Sequence, residues 1–168
     1  MEIEKKFLVD ESKLLDAIKL NDCERYEIEQ AYVSIEDTEV RIRKIEYNYG
    51  NYQCFMTIKS SGDLVRNEVE FDIPYAKYRE LIGYKMYKGN IIDKLRYHIQ
   101  LENNLIAELD IYGKELFGLL VVEVEFKTEE DAKIFQKPNW FGEDVTNDKK
   151  YKNKNLALKK EENNNEKM

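Results

Sequence analysis

The chain alternates. In segment after segment a charged or polar residue is followed by an apolar one, and a period of two marks a strand with one apolar and one polar face. Eight segments carry the pattern: residues 2–9, 25–34, 39–46, 52–60, 64–72, 92–101, 105–112 and 119–127. Turn chemistry at Asn48-Tyr49-Gly50-Asn51, Ser60-Ser61-Gly62-Asp63 and Glu102-Asn103-Asn104 keeps connections short, so pairing should be antiparallel. Helices fill the gaps. One is predicted over 11–20. Another runs from Pro74 to about Tyr87, with proline in the first turn and Gly89 past the end. A third opens on the capping box Thr128-Glu129-Glu130-Asp131 and stops before Pro138. A last one should span about 147–160.

Residues i and i+2 on a strand share a face. That rule collects Glu2, Glu4 and Lys6; Gln30 and Tyr32; Arg41 and Arg43; Thr57 and Lys59; Arg66, Glu68 and Glu70. It also collects Lys94, Arg96 and His98; Glu108 and Asp110; Glu123, Glu125 and Lys127. The opposite faces are apolar, as in Val40/Ile42, Leu109/Ile111 and Val122/Val124/Phe126. Two architectures satisfy this. Apolar faces can meet in a sandwich or compact barrel core with the ions in water, the commoner arrangement for antiparallel sheets. Alternatively the sheet closes, the ions line a lumen, and helices cover the apolar outside. Same-sign pairs on one face, such as Glu2/Glu4, Arg41/Arg43 and Lys94/Arg96, are destabilising without a counter-ion and favour the lumen. So do amphipathic helices in need of an apolar surface. The residues alone leave both standing.

Composition narrows the chemistry. The 168 residues fit a single domain, 1–158, with a polar tail at 159–168 expected to fray. A net charge of −7 argues against a nucleic-acid partner or attraction to anionic membranes. His98 is the one histidine, which excludes multi-histidine metal sites. Cys23 and Cys54 make no zinc pattern and read as reduced thiols of a cytoplasmic protein. The charged start is no secretory leader, and no apolar stretch approaches a membrane span. Gly113 and Gly118 have phosphate-loop spacing, but Leu119 follows where lysine is needed. Phosphate would therefore be held by side chains. Clustered carboxylates select a hard cation such as Mg²⁺, Mn²⁺ or Ca²⁺, and clustered Arg and Lys select a polyanion. Both in one cavity mean phosphoryl transfer or tight polyphosphate binding.

Glu2-Ile3-Glu4-Lys5-Lys6 is an ExExK motif. In order there follow Gln30-Ala31-Tyr32, Arg41-Ile42-Arg43, Thr57-Ile58-Lys59, Glu68-Val69-Glu70, Lys94-Leu95-Arg96-Tyr97, Glu108-Leu109-Asp110 and Val122-Glu123-Val124-Glu125-Phe126. Together with the stretch from Trp140 to Thr146 and Lys150-Tyr151-Lys152-Asn153-Lys154, these resemble the CYTH superfamily, the triphosphate tunnel metalloenzymes. Residues 1–158 are similar to its short bacterial inorganic tripolyphosphatases. The resemblance implies an α+β fold, mainly antiparallel: a closed eight-stranded barrel, the tunnel, with helices outside. It implies metal-dependent hydrolysis of a triphosphate, foremost tripolyphosphate to pyrophosphate and phosphate, with Mg²⁺ or Mn²⁺. The other readings are a non-catalytic polyphosphate or nucleotide binding module, a class IV adenylate cyclase, or a thiamine triphosphatase.

Carried over, the resemblance makes Glu2, Glu4, Glu123 and Glu125 metal ligands, assisted by Asp110, with Glu68 or Glu70 at a second metal. Arg41, Arg43, Lys59, Lys94 and Arg96 would clamp phosphates. Lys6 and Tyr32 would be the catalytic pair. Lys6 as a base needs a lowered pKa; the alternative has a carboxylate take the proton from a metal-held water. Lys150, Lys152 or Lys154 would approach one mouth. Glu29 departs from the basic residue of relatives, but its parity puts it outside the lumen. Trp140 is expected to cap the final helix, and the cysteines to pack. The expected partner is a small triphosphate, with no nucleic acid and no membrane, in a monomer or homodimer.

Overall fold

Nine strands form one sheet in the computed structural model, which describes residues 2–47, 50–60 and 67–159. They are β1 (Ile3–Val9), β2 (Glu24–Ile35), β3 (Glu39–Glu46), β4 (Tyr52–Lys59) and β5 (Glu68–Asp72), then β6 (Lys88–Gln100), β7 (Ile106–Tyr112), β8 (Leu120–Phe126) and β9 (Phe141–Asp144). The pairing order is β5-β4-β3-β2-β6-β7-β8-β1-β9, with every pair antiparallel. Four short helices accompany it among the described residues: α1 (Glu11–Ala17), α2 (Tyr75–Gly83), α3 (Glu129–Ile134) and α4 (Asn153–Ala157). None is long and apolar enough to cross a membrane. The Asn48-Tyr49 and Ser61 to Asp63 parts of the expected turns, 64–66 of the fifth strand and the tail from 160 lie outside the described residues.

The helices settle which face turns inward. Ala31, Ile42 and Cys54, on β2, β3 and β4, are buried beneath Tyr78 of α2. Phe7, Leu109, Val122, Val124 and Phe126 are buried with Leu14 of α1 and Ala132 of α3. The apolar faces therefore look outward onto helices, and the ionic faces look inward. Glu29 fits this: its carboxylate accepts a 2.7 Å hydrogen bond from Tyr78 on the α2 side. Both cysteines are free thiols.

Four expectations are corrected. Among the described residues the ladder has nine strands rather than eight and no pairing joins its edges β5 and β9, so the sheet is not closed by hydrogen bonds there. β9 accounts for part of this: it pairs with Phe7 and Val9, taking up one end of the β1 edge. The final helix is broken. A 3-10 turn over Lys149–Tyr151 and α4 are separated by Lys152, whose backbone is extended (φ −70°, ψ 133°). Trp140 does not cap that helix. It sits with Phe7, Leu14 and Phe141, and its carbonyl accepts from the Asp10 backbone at 3.0 Å. Gly89 does not stop α2, which ends at Gly83. It lies in β6 at φ +69°, where an added Cβ would run into the Ala157 carbonyl, so glycine lets α4 dock on the sheet.

Candidate active site

A cavity of about 940 Å³ lies on the concave side of the sheet, lined from each of β1 to β8 and from Thr146 and residues 152–154. Eight carboxylates and eight bases line it, so its wall is formally balanced and the net −7 belongs to the rest of the molecule. The charges are sorted by strand. Arg41 and Arg43 project from β3, Lys59 from β4, Lys94 and Arg96 from β6; Glu123 and Glu125 come from β8, beside Glu2 and Glu4 at the start of β1.

Arg41, Arg43, Lys59, Lys94 and Arg96 each have an anion. Glu70 Oε2 lies 3.9 Å from Arg41 Nη2 and 3.6 Å from Arg43 Nη2, and accepts from the Thr57 hydroxyl at 2.8 Å. Burial, reinforced by Arg41 and Arg96, pushes the Arg43 guanidinium down to about 10. Lys59 Nζ is 3.4 Å from Glu68 and 3.9 Å from Glu2, an ion pair reaching from β4 to the start of β1. Asp110 is fully buried and accepts from Lys94 Nζ at 2.8 Å, Arg96 Nε at 2.7 Å and Arg96 Nη2 at 2.8 Å. Burial works against its charge, but Arg96 and Lys94 overcome this and hold its carboxyl well below the ordinary range. The same bonds raise Arg96 against its own burial. Lys94 fares differently. It shares one carboxylate with the Arg96 fork, and burial outweighs that shared attraction, leaving its ammonium at about 8. Arg96 Nη1 also meets Glu108 at 2.6 Å.

Across the β1–β8 ladder Glu4 faces Glu125 and Lys6 faces Glu123. Glu4 is exposed toward the cavity but walled in on the protein side. That loss of bulk solvent, then Glu123, push its carboxyl up to about 7, with Lys6 pulling it back. Glu125 is raised by burial and then by Glu2 and Glu108. Glu123 is lowered: burial opposes its charge most strongly, and Lys6, Arg96 and Lys94 together overcome it. Its Oε1 is 3.1 Å from Lys6 Nζ, yet at an angle that makes no hydrogen bond, and the atom is otherwise unpartnered. Lys6 Nζ donates instead to the Tyr151 carbonyl at 3.2 Å. Among the described residues no three acids, imidazoles or thiols already form a metal cage. The donor set nevertheless fits a hard cation: four carboxylates crowd together, two of them pushed toward protonation and one carrying an unpartnered buried oxygen.

No protein-family model matches the chain. An inorganic triphosphatase of Nitrosomonas europaea is 37% identical over 159 residues, spanning 94% of this chain and 97% of that protein. The chain belongs to the inorganic triphosphatase family. A second inorganic triphosphatase, from Acetivibrio thermocellus, is 35% identical over 93% of this chain and 92% of its own length. A crystal structure of an inorganic triphosphatase superposes with a TM-score of 0.69 at 34% identity, covering 95% of this chain and 96% of that one. The triphosphatase membership drawn from the strand motifs holds.

In this inorganic triphosphatase family member, thirteen of the residues singled out in the sequence line one cavity: Glu2, Glu4, Lys6, Tyr32, Arg41, Arg43, Lys59, Lys94, Arg96 and Glu123, with Glu125 and the pair Glu68/Glu70 at its acidic rim. Asp110 is not among them; it sits behind the wall, beneath Lys94 and Arg96. Tyr32 is 2% exposed, and burial pushes its phenol up to about 12, so it enters neutral solution as a hydrogen-bond donor. Lys152 and Lys154 reach the cavity, and Lys154 Nζ pairs with Glu39 at 3.5 Å; Lys150 instead lies over the Tyr151 ring, outside it. His98 stands 3.7 Å from Glu108 and 3.8 Å from Glu24 without lining the cavity. Glu39 and Glu108 were not singled out for a role, although each shares the parity of its strand's site residues. Thr146 and Asn153 carried no period-two signal. They are placed by tertiary contact: Lys6 N–H donates to Thr146 Oγ1 at 3.1 Å, and Tyr112 O–H to Asn153 Oδ1 at 2.6 Å.

Proposed function

We propose that this chain hydrolyses inorganic tripolyphosphate to pyrophosphate and phosphate, using Mg²⁺ or Mn²⁺, with the curled sheet serving as a tunnel around the substrate. One observation carries the reading: a single cavity joins a wall of five Arg and Lys side chains to a wall of four carboxylates, in a member of a triphosphatase family. The bases act first as a phosphate clamp. Arg41, Arg43 and Arg96 offer planar forks that match phosphate oxygens, and Lys59 and Lys94 add point charges. Glu70 fills the Arg41/Arg43 fork in the empty protein and gives way when a phosphate enters. Asp110 is better assigned to aiming Lys94 and Arg96 than to ligation, since all its short contacts are to those two bases.

Glu2, Glu4, Glu123 and Glu125 would hold the cation, with Glu68 or Glu70 serving a second one. When bound, the metal neutralises charge on the phosphoryl oxygens and acidifies a water. Tyr32 stays protonated and directs its hydroxyl into the cavity, where it orients either that water or a phosphate oxygen. Lys6, anchored by the Tyr151 carbonyl, lies beside Glu123 at the junction of the two walls. Catalysis is then mostly positioning and charge neutralisation. A panel of tripolyphosphate, pyrophosphate, ATP, thiamine triphosphate and long-chain polyphosphate tests the substrate. Tripolyphosphate should give the highest kcat/KM. Tight triphosphate binding with no phosphate release would make the chain a binding module, and cyclic AMP from ATP would make it a cyclase.

A further inference from the structure

Gln30 lies on the inward face of β2 and is completely buried, yet neither its amide nitrogen nor its amide oxygen has a hydrogen-bond partner among the described residues. Such a group loses its water on folding and receives nothing in return, so an apolar side chain of the same size would suit an idle position better. The register says what stands opposite. Gln30 faces Arg43 across the β2–β3 ladder, and its neighbour Tyr32 faces Arg41. Directly opposed residues hold their Cβ atoms about 5 Å apart, within reach of both long side chains. Arg43 Nε is itself buried and unpartnered, as is Arg41 Nε. The guanidinium thus turns one terminal nitrogen toward Glu70 in the cavity and leaves its Nε–H toward the wall.

We propose that Gln30 is a positioning residue for Arg43. Its amide oxygen takes the Arg43 Nε–H, directly or through one shared water, when a phosphate replaces Glu70 at the terminal nitrogens. A guanidinium held at Nε can turn only about that bond, so its two terminal N–H groups stay in the plane a phosphate edge needs. The unpartnered state of the empty protein is then the cost of a clamp that becomes fully bonded only when loaded. The proposal rests on the triphosphatase reading of the cavity.

The test is Gln30→Met, an apolar residue of similar length. Two readouts should move in opposite directions. The midpoint of thermal unfolding without ligand should stay or rise, because an unsatisfied amide is gone. Tripolyphosphate should bind more weakly by calorimetry and show KM raised about tenfold, with kcat changed less, the pattern of lost ground-state clamping. Gln30→Glu, which keeps the acceptor, should hold KM nearer the parent. In an Arg43→Lys background, which has no Nε donor of this kind, Gln30→Met should add little further loss. Unchanged affinity and KM in Gln30→Met, with the parent binding normally, overturn this proposal alone. Failure of the parent to bind tripolyphosphate overturns it together with the reading beneath it. Loss of folding in both Gln30→Met and Gln30→Leu gives the amide a structural role and also overturns it.

Discussion

Asp110→Asn isolates the buried charge that organises the basic wall. The substitution keeps the shape and removes the anion accepting three short hydrogen bonds from Lys94 and Arg96. Stranding buried cations this way costs about 3–5 kcal/mol. Two features set the expected loss at the lower end. Arg96 retains Glu108 at 2.6 Å. Lys94 is already at about 8 with Asp110 in place, so without the carboxylate it sheds its proton near neutral pH instead of remaining a buried ammonium. A loss of about 3 kcal/mol in a domain of this size lowers the unfolding midpoint by on the order of 10 °C. The pH dependence follows from Asp110 being depressed in the fold. Its contribution is fully present above the unfolded carboxyl value of about 4, and is lost as pH falls through the lower folded value. Urea unfolding of parent and Asp110→Asn should therefore differ by a constant amount between about pH 5 and 6, below the Lys94 titration, and converge in acid below about pH 4. Equal stabilities at pH 7, or a gap that widens in acid, would refute the reasoning.

The other perturbations address different walls. Glu4→Gln should abolish turnover and weaken Mn²⁺ binding by calorimetry while the circular dichroism stays native. In the metal-free parent the raised Glu4 carboxyl makes stability fall as pH rises from its unfolded value through about 7, so Glu4→Gln should flatten that slope in thermal melts. Arg43→Ala removes one fork of the clamp and should raise the tripolyphosphate KM more than it lowers kcat, as read from initial rates. Gly89→Ala combines a positive φ with a clash on the Ala157 carbonyl; it should cost on the order of 1–3 kcal/mol in urea unfolding and disturb the segment carrying Lys152 and Lys154.

Much of the fold could be read from parity. The segment 39–46 becomes β3 with the same ends, and the inward set Arg41, Arg43, Lys94, Arg96, Glu123 and Glu125 is the set that period two collected. Parity cannot say which face is inside; that needed Tyr78, Leu14 and Ala132 against the apolar side. Nor can it give depth. Glu108 and Asp110 share a strand face, yet one lines the cavity and the other lies behind it, because Lys94 and Arg96 both converge on Asp110 while Glu108 meets only the outer Arg96 nitrogen. β9 is four residues containing Gly142, too short for an alternation signal, and exists because β1 has a free edge there. The broken end of the chain follows from docking: Leu156 and Ala157 are buried against the sheet, and Lys152 must extend to bring them there. The residues left a closed barrel standing beside a sandwich, the family resemblance chose the barrel, and the strand pairing supports only the curled sheet.

Phosphate release from inorganic tripolyphosphate, with Mg²⁺ or Mn²⁺ and again after EDTA, tests the central claim most directly. The account predicts equimolar phosphate and pyrophosphate from the metal-supplied protein, no release after chelation, and recovery when metal is restored. Folded protein that releases no phosphate with either metal, or that turns over equally well in EDTA, would contradict it.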